Sequence, residues 1–442
     1  MPTSGASDWH EETRDVGVAM HQDRPRIAIY FRMFSPYILA RLSAAAEVAR
    51  VAAIEGGSRS GTYDWEPIEG SRGFDRLTLF DGKAIEDMSC HEIVSELWRI
   101  MERLRPDVVV IGGWSHIESI TMLRWAATNN APAVVMSEST AHDTLRTFWS
   151  EGAKRFILKF SSAGLVGGDP HFRYINSLGM ASDRIFLGYD AVDNEYFFEG
   201  AEAARAESER WRKELNLPTR FFLACSRFIR IKNLDRLIDA YSAYRALAGR
   251  QAWDLVLLGD GPERNALEAK VRTLKLEDSV QFKGFRQYRE LPLYYGLAGA
   301  FVHVSTVEPW GLVINEALAS RLPVVVSNRC GAVENLVIDG VNGFVVDPYE
   351  TMEITAALGK ITSPSLSREG MGTIGRQVVT HWGPIRFAEG LRQAIDTARN
   401  RPLPDANRAE RLMLAAIGYL AEYLARRSFL PSGRAPIATR KA

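Results

Sequence analysis

At 442 residues the chain exceeds one ordinary domain; length alone suggests about three units, a prior that two large α/β domains also satisfy. Hydrophobic residues make up 46% and charged residues 24%, which excludes a disordered chain. Lys+Arg and Asp+Glu stand at 54 each, so no global field favours nucleic acid and any cationic site must be local. Cys90, Cys225 and Cys330 are far apart, with no Cys-x-x-Cys and no histidine cluster. That excludes a cysteine zinc site or a disulfide framework and fits a reducing cytoplasm.

Residues 1–23 are polar and acidic, lack the apolar core of a secretory signal and read as a flexible tail. Short apolar, β-branched runs then alternate with amphipathic stretches, the pattern of parallel sheets built from βαβ units. The first half predicts strands at 26–31, 50–54, 76–80, 107–111, 133–136, 163–166 and 184–187. The second predicts them at 220–225, 254–258, 279–283, 300–304, 324–327 and 344–346. These runs have no polar alternation, as strands covered on both faces should not. Between the two series, 197–217 is rich in Ala, Glu and Arg, reads as one helix and puts a domain boundary near Leu217.

After the last strand come helices near 350–361, 366–380, 384–399 and 407–427, then a second tail, 428–442. The longest apolar run, 412–421, is about half of the ~20 residues that cross a bilayer. A soluble, cytoplasmic protein is expected. The organisation is therefore a first α/β domain over 24–217, a second over 218–382, and C-terminal helices over 383–427.

Ligands of such sheets bind beyond the carboxyl ends of the strands, so the chemistry is sought just after each one. The densest constellation follows 300–304 and runs from Ser305 through Glu308, Pro309, Trp310 and Gly311 to Glu316. Pro309 and Gly311 suit a strand-to-helix turn, and the helix that begins there offers free N–H groups and a positive dipole end to a diphosphate. Glu308 in the turn and Glu316 along the helix are two carboxylates able to accept from two sets of sugar hydroxyls. After 220–225 comes SRFIRIKN (226–233), where Arg227 and Lys232 are placed to neutralise a departing diphosphate. No Asp-x-Asp occurs, so no metal ligands are assigned and no cofactor is expected.

These segments resemble the donor-binding domain of family-four retaining glycosyltransferases. The likeness rests on SRFIRIKN (226–233), LVLLGDGPE (255–263), VQFKGF (280–285), EPWGLVINEALA (308–319), LPVVVS (322–327) and GAVENLVIDGVNGFVVDP (331–348). It implies the GT-B fold, two facing Rossmann-like domains with C-terminal helices crossing back onto the first. It also implies a nucleoside-diphosphate sugar as substrate, such as a UDP-, GDP- or ADP-sugar. Glu308 would contact the donor sugar, Glu316 the ribose, and Arg227 and Lys232 the diphosphate. Gly259, Gly261, Phe285, Gly311, Leu312 and Val313 would complete the donor site.

Arg321 departs from the family pattern, which has a glycine before the proline of the next strand. The first domain matches less well: its first loop, 31–37, has aromatic residues and no glycine. Where the family keeps a histidine near the donor sugar, Ser137-Glu138 stands in the nearest position, so Glu138, His142 and His116 all remain open for that part. GYDAVDNEYF (188–197) resembles the family's link into the second domain, with Asp193 and Phe197 at the expected spacing.

Transfer of a sugar with retention, by a metal-independent hexosyltransferase acting on a glycan, lipid-linked glycan or small molecule, is the function implied. A nucleotide-sugar epimerase of the same architecture and a non-catalytic sugar-nucleotide-binding protein are the alternatives. Helix 384–399 shows an apolar stripe of Ile385, Phe387, Leu391 and Ile395, suited to docking on the first domain. The last helix has a broader apolar face. Docking is favoured over peripheral contact with the inner face of the membrane, because Glu410 and Glu422 would be repelled by anionic lipid.

Overall fold

The computed structural model describes residues 24–59, 66, 73–143, 146–401 and 407–428. The expected tails lie outside these residues, apart from Ser428, which ends the last helix. Every run read as a strand is one. Strands β1 (Arg26–Phe31), β2 (Arg50–Arg59), β3 (Asp75–Ala84), β4 (Val108–Gly112), β5 (Ala133–Ser137), β6 (Ala163–Val166) and β7 (Ile185–Leu187) form a seven-stranded parallel sheet of order β3-β2-β1-β4-β5-β6-β7.

A six-stranded parallel sheet follows, built from β8 (Phe221–Cys225), β9 (Asp254–Leu258), β10 (Val280–Gly284), β11 (Ala300–His303), β12 (Val324–Ser327) and β13 (Gly343–Val346). Its order is β10-β9-β8-β11-β12-β13. Each sheet reverses its strand order beside its first strand, between β1 and β4 and between β8 and β11. The crevices where such sheets bind ligands open there. Central strands such as β4 and β12 are buried on both faces, which is why their sequences run apolar without alternation.

The segment read as one helix is two, Asn194–Ala206 and Ser208–Glu214, with Glu207 leaving helical geometry between them at φ −111° and ψ 32°. The first starts three residues earlier than expected, because the Asp193 side chain accepts from the Tyr196 N–H and caps it.

Helix Pro384–Arg399 crosses back onto the first sheet. Phe387, Leu391 and Ile395 are buried in one core with Ile27, Ile29 and Val110. At Gly390 an added Cβ would stand 2.2 Å from the Leu187 carbonyl oxygen, so glycine alone allows this approach. Ile385 does not belong to that stripe and is 74% exposed. Two residues turn a helix by about 200°, so positions 385 and 387 cannot face the same surface. The last helix, Arg408–Ser428, packs on helix Ile117–Asn129, where Leu414 is fully buried.

Arg321 takes the place of the missing glycine without altering the turn. It adopts the left-handed conformation itself, φ 59°, and Leu322 N–H still reaches the Ala317 carbonyl at 2.9 Å. The strain, about 1 kcal/mol for a residue with a Cβ, is offset by the guanidinium, which lies 3.7 Å from both Glu202 and Glu369 and donates to Thr373 Oγ1.

Candidate active site

Four loops after the strands of the second sheet converge. Lys232 lies in the loop after β8, and the next residue, Asn233, is left-handed at φ 59°. Its buried amide donates to the carbonyls of Val304 (3.0 Å) and Pro348 (2.8 Å) and so ties together the loops after β8, β11 and β13. Gly259 and Gly261, assigned to the donor site from sequence, have a packing duty. Both have positive φ, and added Cβ atoms would meet Ser226 O at 1.9 Å and Phe228 O at 2.6 Å. They let the loop that carries Arg227 lie against the loop after β9, with Phe228 N–H donating to Asp260 O at 2.8 Å. Phe285 follows β10 directly and is half-buried.

The loop 305–311 then turns into helix Leu312–Ala319, and Gly311 at φ 100° makes the corner. Glu308 and Lys232 form an ion pair there, with both side chains largely covered. His303 Nε2 lies 2.6 Å from the same carboxylate oxygen, and Ser305 Oγ donates to it at 3.2 Å. Burial pushes the Glu308 carboxyl up, but the His303 and Lys232 contacts outweigh it and hold the pKa at about 2. Glu308 is therefore ionised across the physiological range, an acceptor for hydroxyls. Sequence reasoning did not single out His303, although its place at the end of β11, five residues before Glu308, was visible.

Glu316 is buried at 1% exposure, and its two oxygens are taken up. Tyr295 Oη donates to one at 2.7 Å, and Tyr37 Oη, reaching across from the first domain, donates to the other at 2.7 Å. Tyr37 falls in the segment 31–37 read above as a loop with an aromatic surface, but it is the second residue of helix Pro36–Ala45, which Ser35 caps; there it also packs edge-on against Tyr288. Desolvation raises the Glu316 pKa to about 7 against the pull of the two hydroxyls.

The unfolded value for such a group is 4.5, so between pH 4.5 and about 7 the folded chain keeps a proton that the unfolded chain has lost. This group's contribution to stability is complete below pH 4.5 and is lost as pH rises through about 7. Glu308 runs the other way, adding stability above pH 4.5 that disappears as pH falls towards 2. Relative to Glu316→Gln, the wild type should lose up to about 3 kcal/mol between about pH 5 and about pH 8, read from thermal unfolding at each pH. A gap that ignores pH would show that Glu316 holds no such proton.

Of the first-domain candidates, Glu138 is the one within electrostatic reach of Glu308. Solvent reaches its side chain, but the surrounding protein still desolvates the carboxyl and raises its pKa; Glu308 and Asp143 add to the rise, and Arg41 and Lys232 oppose it. His116 is elsewhere. Its Nδ1 lies 2.6 Å from Arg32 Nη1 and 3.6 Å from the buried Glu422 of the last helix, and Arg32 Nε lies 3.5 Å from the buried Glu118. One ligand atom each of His116, Glu118 and Glu422 fall within 4.8 Å of one another, a spacing a metal could use, but the Arg32 guanidinium already supplies a cation there. His142 is exposed, in a loop where its N–H donates to Thr140 Oγ1.

A fourth histidine, like His303 unremarked in the sequence, links the domains. His171 accepts from the Gly168 N–H through Nδ1, which leaves Nε2–H to donate to the Pro309 carbonyl at 2.8 Å. Desolvation lowers its pKa and keeps it neutral, as that tautomer requires.

The fold is GT-B. Sucrose-phosphate synthase from Thermosynechococcus elongatus superposes with a TM-score of 0.65 at 19% identity, over 83% of this chain and 97% of that one. Anabaena HepE in complex with UDP and glucose gives 0.66 at 16% identity, over 83% and 98%. Residues 206–378 match the family model for glycosyl transferases group 1. That span holds Arg227, Lys232, Glu308 and Glu316. Among curated relatives, a probable sucrose-phosphate synthase 5 of Oryza sativa subsp. japonica is 33% identical over 207 residues, 42% of this chain and 20% of that one. A GDP-mannose-dependent α-(1-6)-phosphatidylinositol monomannoside mannosyltransferase of Mycobacterium tuberculosis (strain H37Rv) is 31% identical over 240 residues, 51% and 60%. The chain thus spans between a fifth and three-fifths of the length of these relatives.

No helix among the described residues is long and apolar enough to cross a membrane.

Proposed function

We propose that the chain is a retaining, metal-independent hexosyltransferase that moves a sugar from a nucleoside-diphosphate donor to a hydroxyl of a glycan, a lipid-linked glycan or a small molecule. The observation that carries this reading is the Glu308–Lys232 pair at the mouth of helix Leu312–Ala319, with Glu316 one helical stretch further in. A diphosphate placed at that helix start meets the dipole, the Lys232 ammonium and the Arg227 guanidinium. Glu308, ionised, accepts from donor-sugar hydroxyls. Glu316 accepts from the ribose once Tyr37 gives up its place.

As the glycosidic bond to phosphate breaks, negative charge builds on the leaving diphosphate, and the two cations stabilise it without a metal. The acceptor oxygen attacks the same face of the sugar, and a phosphate oxygen of the leaving group takes its proton. Glu138 borders the space the sugar would fill and serves as a hydrogen-bond acceptor there. Relatives whose names specify GDP-mannose and a structural neighbour bound to UDP both leave the donor base open.

Thermal shift against UDP-, GDP- and ADP-sugars tests the reading, since a ligand that binds only the folded state raises the unfolding temperature. One donor class should give a shift, and transfer from it should persist in excess chelator with retained configuration at the anomeric carbon. Isomerised donor without acceptor would make the protein an epimerase. Loss of activity in chelator, restored by magnesium or manganese, would overturn metal independence.

A further inference from the structure

The last helix has apolar residues on two faces, and the first domain covers only one. Leu414 is fully buried there, and at Gly418 an added Cβ would stand 2.8 Å from Ile120 Cγ2. The opposite face carries Leu412, Met413, Tyr419 and Leu420, which are 62%, 52%, 42% and 57% exposed. Ala416, also exposed, lies between them, so the spacing keeps a continuous stripe over two turns. Six apolar side chains that line up in water, Tyr423 being the sixth, mark a contact surface rather than scattered exposure.

Both acids of this helix point away from that stripe. Glu410 is paired with Lys159, and Glu422 is buried beside the N-terminus of helix Ile117–Asn129. The repulsion that argued against lipid therefore falls away: docking on the first domain and contact with a bilayer use different faces. The Lys159–Glu410 pair also joins the last helix to helix Phe148–Leu158. That helix exposes Phe148 and Trp149 at 84% and 82%, with Arg155 exposed on the same side. Beyond Glu422 the sequence holds Arg426, Arg427, Arg434, Arg440 and Lys441 and no acid, a local positive excess in a chain whose charges balance as a whole.

We propose that this corner of the first domain seats on an anionic lipid surface. The stripe of the last helix and the Phe148–Trp149 pair enter the boundary between headgroups and acyl chains, and the exposed Arg155, with the positive excess of the C-terminal sequence, adds attraction to anionic headgroups. A second copy would bury the stripe too, but it would bring like charges together, whereas anionic lipid satisfies the apolar and the cationic features at once.

The test is flotation of the full chain with vesicles of phosphatidylcholine alone and of phosphatidylcholine with phosphatidylglycerol. The wild type should float with the anionic vesicles and release as salt is raised. Leu412→Gln with Leu420→Gln should weaken that binding at least tenfold at an unchanged unfolding temperature, since both positions are exposed. Phe148→Ser with Trp149→Ser should weaken it as well. Absence of wild-type binding to anionic vesicles, or equal binding by the variants, overturns the proposal. So does a dimer in light scattering that the Leu412 and Leu420 substitutions dissociate.

Discussion

Lys232→Ala is expected to lower the rate of sugar transfer at saturating donor by at least about a hundredfold. Two effects combine. The leaving diphosphate loses a point charge in the transition state, and a single donor of that kind is worth about 3 kcal/mol. Glu308, now held by His303 and Ser305 alone, also loses the cation that fixes it in the turn. Lys232→Arg keeps the charge but changes its shape, and should recover only part of the rate. Arg227→Ala should act in the same direction, because its loop is fixed against the one after β9. Single-turnover kinetics beside thermal unfolding would separate the two causes. A fall in rate that is matched by a fall in folded protein would assign Lys232 to structure instead of catalysis.

The second large effect divides the two glutamates. Glu316→Ala should weaken binding of the free nucleoside diphosphate by about tenfold or more, because a hydrogen bond to a charged group is worth about 1.5–3 kcal/mol. Glu308→Ala should leave that affinity nearly unchanged and reduce turnover of the sugar donor. Titration calorimetry with the diphosphate, then turnover with the sugar donor, reads both. Tyr37→Phe is the companion measurement. Tyr37 Oη occupies a Glu316 oxygen that the ribose is proposed to use, so removing the hydroxyl should strengthen diphosphate binding a few-fold. Equal losses with both ligands in both glutamate variants would end the proposed division of labour.

The strands were legible because burial on both faces writes itself into the sequence as unbroken apolar runs, and Phe221–Cys225 or Val324–Ser327 need no partner to be recognised. The helix ends were less so. One Ala-, Glu- and Arg-rich segment broke at Glu207, where no proline or glycine announces it, and Ile385 looked like part of a stripe that helical geometry excludes. Within the second domain, Lys232, Glu308 and Glu316 stood out because each follows a strand of one sheet, and the parallel topology carries all such positions to the same edge.

The sequence by itself determined the two parallel sheets, the turn at Gly311 and the residue types that can hold a diphosphate. These follow from local propensity and from periodicity, which act over a few residues. Contacts between distant segments were decided by the tertiary structure alone. Tyr37 meets Glu316 across 279 positions and His171 meets Pro309 across 138. The last helix brings Glu422 to His116, so His116 serves an Arg32 cluster while Glu138 lies within electrostatic reach of Glu308. Such pairs depend on how the two sheets close on each other, and the identity of a buried carboxylate's partner, hence its charge at neutral pH, follows from that closure.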